Sequence, residues 1–164
     1  MSVWLGKKLA DIIEKPPDVK INPNGVDLKI SEIWSLSEDS VITINGKDRR
    51  IEPDKVKIEP REDDFYYLPK GTYEIRVANK ISIPKNAVGF LFPRSTFNRL
   101  GIMKSETALW DSGYSGWGTQ TVRVTVKEAR IHKDEFWFQF VVIDMKEEVD
   151  HVYDGHWQGE GMKK

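Results

Sequence analysis

The sequence predicts a mainly β, antiparallel fold. Past residue 65, four segments are dense in β-branched and aromatic residues and bounded by turn residues: 73–83, 88–92, 119–126 and 136–145. Helical spacing is confined to the first dozen residues. Strands do not alternate with helices, which argues against a parallel α/β sheet and leaves a sandwich, a jelly roll or a barrel.

The elements follow in order. Residues 3–14 place Trp4, Leu5, Leu9, Ile12 and Ile13 on one side at helical spacing, and Pro16-Pro17 ends the helix. Asn24-Gly25 opens a short strand over 26–30. Residues 41–44, an apolar run, lead into Asn45-Gly46, a tight-turn dipeptide. The charged stretch 47–64 carries Pro53 and Pro60 and reads as strand fragments on an exposed edge or as loop. The segment from Tyr153 to Gly161 combines glycines with Tyr153 and Trp157.

Composition narrows the chemistry. The chain has 164 residues, enough for one domain with a real core, with 39% hydrophobic and 31% charged residues. Its formal net charge of −1 gives no global basic field for nucleic acid, so a polyanion site must be local. There are no cysteines, which excludes disulfides, thiolate catalysis and Cys-ligated zinc. None of His132, His151 and His156 starts an H-x-E, so a zinc-dependent nucleobase deaminase cannot be assembled. The first 15 residues read as neither signal peptide nor membrane span, and the expected location is the cytoplasm, away from membranes.

Five constellations can carry chemistry. At Pro93-Arg94-Ser95-Thr96 a hydrophobic strand runs into a guanidinium and two hydroxyls, a set suited to phosphate, with Arg99 nearby. The competing reading is a strand end with a surface arginine. At Asp111-Ser112-Gly113-Tyr114 a carboxylate stands between an apolar strand end and a glycine turn, where it can polarise a water, while Tyr114 offers a flat face to a sugar. A plain Asp-x-Gly turn is the alternative. Asp27 at the start of a strand is a site residue or a turn residue. Gln139, an amide inside an apolar run, must find structural or ligand partners. The tail is a glycine-hinged cover with Trp157 to stack on a base, or a frayed terminus.

The order of these pieces resembles the five motifs of the trimeric dUTPase and dCTP deaminase superfamily over residues 21–161. The resemblance implies a jelly-roll-like distorted barrel with a short N-terminal helix, one domain over 1–164 and a lid at 153–164. It implies Asp111 as the general base that deprotonates the attacking water, and Tyr114 as the ring that packs on deoxyribose and rejects a ribose 2′-hydroxyl. Arg94 and Ser95 are implied for the phosphates, with Thr96 and Arg99 kept as substrate contacts from the chemistry of that segment, Gln139 beside them, and Trp157 and Gln158 in the closing tail. Mg²⁺, held mainly by the triphosphate and water, is the implied cofactor, with Asp27 at most in its outer shell. The implied partners are dUTP, or a related deoxynucleoside triphosphate, and two further copies in a homotrimer with shared sites.

Within that resemblance the branch is decided at one position. Deaminases of this kind carry a catalytic Glu ten residues beyond the aspartate, and here that position is Thr121, a poor proton shuttle. The expectation is hydrolysis of dUTP to dUMP and pyrophosphate. The alternatives are a dCTP deaminase or bifunctional enzyme using another base such as Glu106, and a silent nucleotide-binding regulator. The hairpin 102–110, which reads the base, is about one residue short against either branch.

Overall fold

Alternating burial builds the sheets. The computed structural model describes residues 2–14, 17–44, 53–105 and 109–162. Strand β5 (Phe65–Val77) buries Tyr66, Leu68, Tyr73, Ile75 and Val77, and β10 (Thr119–His132) buries Gln120, Val122, Val124 and Ile131, so each long strand turns alternate residues to the core. These two form the centre of a five-stranded sheet, flanked by β3 (Ile30–Leu36) and the edge strand β4 (Lys55–Ile58) on one side and β8 (Ile102–Lys104) on the other. A four-stranded sheet runs β1 (Lys20–Asn22), β2 (Gly25–Leu28), β11 (Phe138–Asp144), β7 (Ala87–Pro93). A small ribbon pairs β6 (Ile81–Ser82) with β9 (Ser115–Gly116). Every pairing is antiparallel.

One buried cluster takes Leu28, Phe138 and Phe140 from the four-stranded sheet and Ile33, Ile75 and Val122 from the five-stranded one. The architecture is the mainly β, jelly-roll-like antiparallel barrel that the sequence predicts. The predicted strand over 26–30 divides at Lys29, giving β2 to one sheet and β3 to the other. Charged 127–132 extends β10 beyond its predicted end because Ala129 and Ile131 turn inward again, with the alternation shifted by one residue from Gln120, Val122 and Val124. The ladder shifts between Val124 and Glu128, opposite Pro69, which has no N–H to donate, and Thr125 turns its N–H to Gly101 instead.

Three local expectations need correction. The N-terminal helix is shorter than 3–14: α1 spans Gly6–Leu9 and continues as a 3₁₀ turn over Ala10–Ile12. Val3 and Ile13 are taken by single bridges to Ile143 and Ile81, so sheet edges claim the ends of the helical pattern. Residues 41–44 form no strand, and Val41 and Ile44 are exposed; Asn45-Gly46 lies outside the described residues. A second helix, α2 (Ser95–Arg99), follows Pro93 and anchors itself through buried Phe97, whose ring lies tilted by 33° with its centroid 4.8 Å from that of Trp137.

Candidate active site

The Asp111 segment is fixed on three sides. Trp110 and Gly89 exchange two backbone hydrogen bonds of 2.9 Å, which tie the segment to the middle of β7. The Gly113 N–H donates to Ile83 O and the Ile83 N–H to Tyr114 O, tying it to the strand before β7. Ser112, buried, donates its hydroxyl to Ala87 O at 2.7 Å. Gly113 has φ +86°, the left-handed conformation that closes the turn at little cost only for glycine. The Asp111 side chain is exposed, and among the described residues it has no ion pair or hydrogen-bonding partner.

Beside it the rings are stacked. Trp110 and Tyr114 lie parallel within 4°, with centroids 5.7 Å apart. Gly118 permits this: a Cβ there would stand 2.3 Å from the Trp110 indole. Burial, together with the neighbouring Glu160 carboxylate, pushes the Tyr114 hydroxyl far above its ordinary value, so it is a hydrogen-bond donor at any working pH. A cavity of about 370 Å³ opens here, lined by Asp111, Trp110, Tyr114, Thr121, Trp157 and Glu160, with Glu74 from β5 among its other walls.

The tail closes this cavity from the same chain. Gln158 accepts the Ser115 N–H and donates its amide to Gly113 O and Tyr153 O. Gly159 N–H donates to Ser115 O, and Trp117 N–H to Glu160 O. The Glu160 carboxylate accepts the hydroxyls of Tyr114 and Thr119. Desolvation raises the Glu160 carboxyl above the usual range, against the pull of those hydrogen bonds.

Arg94 stands elsewhere. Its Nε lies 3.1 Å from Asp27 Oδ2, and its Nη1 donates to Glu135 Oε1 at 2.6 Å and to Phe136 O at 2.9 Å. Asn22 Nδ2 donates to the other Asp27 oxygen at 2.7 Å. Asp27 is thus no turn residue but a buried carboxylate within β2, and it fixes one edge of the guanidinium. Arg94 and Thr96 line a second cavity of about 700 Å³ with Phe97, Leu100, Ile131 and Glu135.

The structure therefore divides the expected site. Asp111, Tyr114 and Trp157 come together, and Thr121 joins their cavity. Arg94 and Thr96 share another, with Ser95 and Arg99 exposed on α2. Gln139, half-buried in β11 opposite Asp27, and Gln158 line neither cavity. The amide of Gln158 fastens the tail to the hairpin. Glu106 lies outside the described residues. Sequence reasoning missed Glu160, Thr119, Glu74 and Glu135. The motif spacing points to none of the last three, but Glu160, a carboxylate set between Gly159 and Gly161 in the tail, was a visible signal.

Among the described residues no three His, Cys, Asp or Glu side chains converge to hold a metal ion, so Glu74, Asp111 and Glu160 border the cavity without forming a cage. That donor set fits a Mg²⁺ ion carried by phosphates and water and does not fit one held by protein ligands alone. No helix among the described residues is long and apolar enough to cross a membrane.

Comparison with known proteins places this geometry in a family. A family model described as dCTP deaminase-like matches residues 5–145. The chain belongs to that family. Among its curated relatives is a probable deoxyuridine 5′-triphosphate nucleotidohydrolase of Methanosarcina acetivorans, 31% identical over 156 residues, which are 93% of this chain and 90% of the relative. A protein of the same description from Halobacterium salinarum is 34% identical over 160 residues, covering 94% of this chain and 93% of the relative. Among solved structures, the 2′-deoxycytidine 5′-triphosphate deaminase of Agrobacterium tumefaciens superposes with a TM-score of 0.61 at 15% identity over 81% of this chain. This chain spans only 42% of that one, and the likeness is one of fold. The family match ends at residue 145, so the tail that closes the cavity lies beyond it.

Proposed function

We propose that this family member is a dUTP diphosphatase, converting dUTP and water to dUMP and pyrophosphate. The observation that carries the reading is the cavity in which an exposed, unpartnered Asp111 stands beside the Trp110–Tyr114 ring stack under a closing tail. Its volume, about 370 Å³, lies within the range of small-molecule sites. The relatives named as deoxyuridine triphosphate nucleotidohydrolases over nine-tenths of the chain support the same substrate.

In this reading Asp111 orients a water and takes its proton as the water oxygen bonds to phosphorus. The P–O bond of the α–β bridge breaks, and the electron pair leaves with pyrophosphate. Tyr114 packs against the deoxyribose and leaves no room for a 2′-hydroxyl. Residues 153–164 act as the lid of a single 1–164 domain, with Trp157 over the base and Gln158 as fastener, and they exclude bulk water. Mg²⁺ held by the phosphates supplies charge neutralisation. Arg94, Ser95 and Thr96, with Arg99 beside them and Gln139 behind, receive phosphate oxygens. Asp27 holds the Arg94 guanidinium in place rather than holding metal.

Arg94 and Asp111 line different cavities, which supports a site shared between copies, and we assign the active form as a homotrimer working in the cytoplasm. One observation favours a second reading. Glu74 pairs in register with Thr121 and borders the cavity, so a carboxylate stands near the position where a deaminase needs one. Its Oε1 accepts a hydrogen bond from Lys55 Nζ at 2.9 Å, which ties that oxygen to β4 rather than leaving it free for the cavity. The experiment that tests both is incubation with dUTP or dCTP and Mg²⁺, with pyrophosphate and ammonia measured separately. Pyrophosphate from dUTP and no ammonia from dCTP is the expected result. Ammonia from dCTP would replace the diphosphatase with a deaminase, and neither product would leave a binding protein. A monomeric mass for a protein that hydrolyses dUTP would remove the shared site.

A further inference from the structure

The cavity has one wall that the proposed chemistry does not use. Glu160 reaches it from the tail and joins three separate pieces of chain. Its carboxylate accepts the Tyr114 hydroxyl, 3.3 Å away on the Asp111 hairpin, and the Thr119 hydroxyl at the start of β10. Its carbonyl accepts the Trp117 N–H at 2.8 Å, between the two. Gly116 makes room for this. A Cβ there would lie 2.9 Å from both the Glu160 nitrogen and the Tyr114 hydroxyl.

We propose that Glu160 is a positioning residue that latches the tail onto its own chain's cavity before nucleotide arrives and fixes the Tyr114 ring that selects the sugar. The latch is a wall and not a plug, since about 370 Å³ stays open with the tail docked. The ring is held from both ends: Trp110 stacks on its face and Glu160 holds its hydroxyl, so the ring cannot retreat to admit a bulkier sugar. Preorganisation of this kind lowers the ordering cost that a free tail would add to substrate binding. Glutamine retains the latch, because its oxygen accepts one hydroxyl and its NH₂ donates to the other, while alanine removes both bonds.

The role of the tail in sugar selection rests on the diphosphatase reading, but its docking does not, and two measurements separate them. The first is amide hydrogen exchange on the full nucleotide-free protein, read at Gly159 and Trp117, with the β5 and β10 amides as an internal check of folding. Glu160→Ala should speed exchange at both positions at least tenfold with the β5 and β10 amides unchanged, and Glu160→Gln should keep protection. The second is the ratio of kcat/KM for dUTP over UTP. Glu160→Ala should lower it about tenfold, and Glu160→Gln should restore it. Unchanged exchange in Glu160→Ala overturns the latch whether or not the protein hydrolyses dUTP. Faster exchange with an unchanged dUTP-to-UTP ratio overturns the positioning of Tyr114. If the wild type does not hydrolyse dUTP, the diphosphatase reading fails and exchange alone decides the latch. A variant that loses protection in β5 is set aside for Glu160→Leu, which keeps the side-chain volume and should speed exchange as alanine does.

Discussion

Replacing Asp111 with asparagine is the most direct test of the proposed chemistry, because the structure separates its effect on rate from any effect on folding. The side chain is exposed, and among the described residues nothing bonds to it. The turn is held instead by backbone bonds from Tyr114 N–H to Asp111 O and from Gly113 N–H to Ile83 O, which the substitution leaves in place. Surface changes of this sort fall within about 0.5 kcal/mol, a melting shift of about 2 °C or less for a chain of this size. The amide keeps the shape of the carboxylate but cannot accept a proton from water. Loss of a general base costs about 10²- to 10⁴-fold in rate, equivalent to about 2.7–5.4 kcal/mol of barrier. The assay is pyrophosphate release at saturating dUTP with Mg²⁺, beside thermal melting and equilibrium binding of a non-hydrolysable dUTP analogue. The expected outcome is a kcat lowered by at least about a hundredfold with melting and binding unchanged. A variant within threefold of wild type would show that another group activates the water and would refute the assignment of Asp111.

Three further outcomes follow from the same contacts. A chain ended after Val152 should keep the fold, since the tail is turns over a hairpin, and should lose kcat more than melting temperature; failure to fold, or full activity, would remove the lid. Arg94→Lys should weaken dUTP binding and cost roughly 1–3 kcal/mol of stability, because a lysine cannot reproduce the guanidinium fork between Asp27 and Glu135 and leaves the buried Asp27 short of a partner; chemical denaturation and KM read the two effects. Tail docking should loosen as pH rises. Burial lifts the Glu160 carboxyl in the docked state, so that contribution is complete below the ordinary carboxyl value and is lost as pH passes through the raised one. Glu74 and Arg76 of β5 act on the same carboxyl in opposite senses, and Tyr114 and Thr119 bond to it. Exchange at Gly159 that depends on pH no differently in Glu160→Gln, after correction for intrinsic rates, would remove Glu160 as the titrating group.

What the sequence made legible is chemistry that sits close together along the chain. Asp111, Gly113 and Tyr114 form one turn, so their types and spacing already contain the geometry, and β-branched density past residue 65 already contains the sheets. Partnerships across the fold were not legible. Nothing near Asp27 in sequence points to Arg94, which reaches it only because β2 and β7 flank β11 in one sheet. Gln158 read as a ligand contact because a polar side chain among glycines resembles a binding loop, yet its amide is satisfied by the backbone of the hairpin it closes. The helix over 3–14 was overestimated for a related reason. Its apolar spacing is helical, but burial of Trp4 and Ile13 is achieved partly by strand-like contacts that no local pattern encodes. Tertiary partners override local propensity at the ends of a short helix, where few intrahelical bonds resist them.

The division of the site has its origin in the register of one strand. Trp110 bridges Gly89, so Asp111 begins opposite the middle of β7, whereas Arg94 follows Pro93 at its far end. Five residues of extended chain separate Gly89 from Arg94, about 16 Å at the usual rise. The guanidinium does not turn back across that distance, since Asp27, Glu135 and Phe136 hold it at the β2 and β11 end. Hydrolysis of a triphosphate needs positive charge on the phosphates and a base on the water at the same ligand. In the proposed trimer, therefore, Asp111 of one copy works with Arg94 of another. Two inactive variants, Asp111→Asn and Arg94→Ala, should then complement each other. In trimers assembled at random from equal amounts, about a quarter of the shared sites combine the intact Asp111 of one copy with the intact Arg94 of its neighbour. Coexpression should restore up to that fraction of wild-type pyrophosphate release, while separately folded variants mixed without subunit exchange stay inactive. A coexpressed mixture no more active than its parts, with mass analysis showing mixed trimers, would mean that both residues serve a site within one chain or that Arg94 serves none.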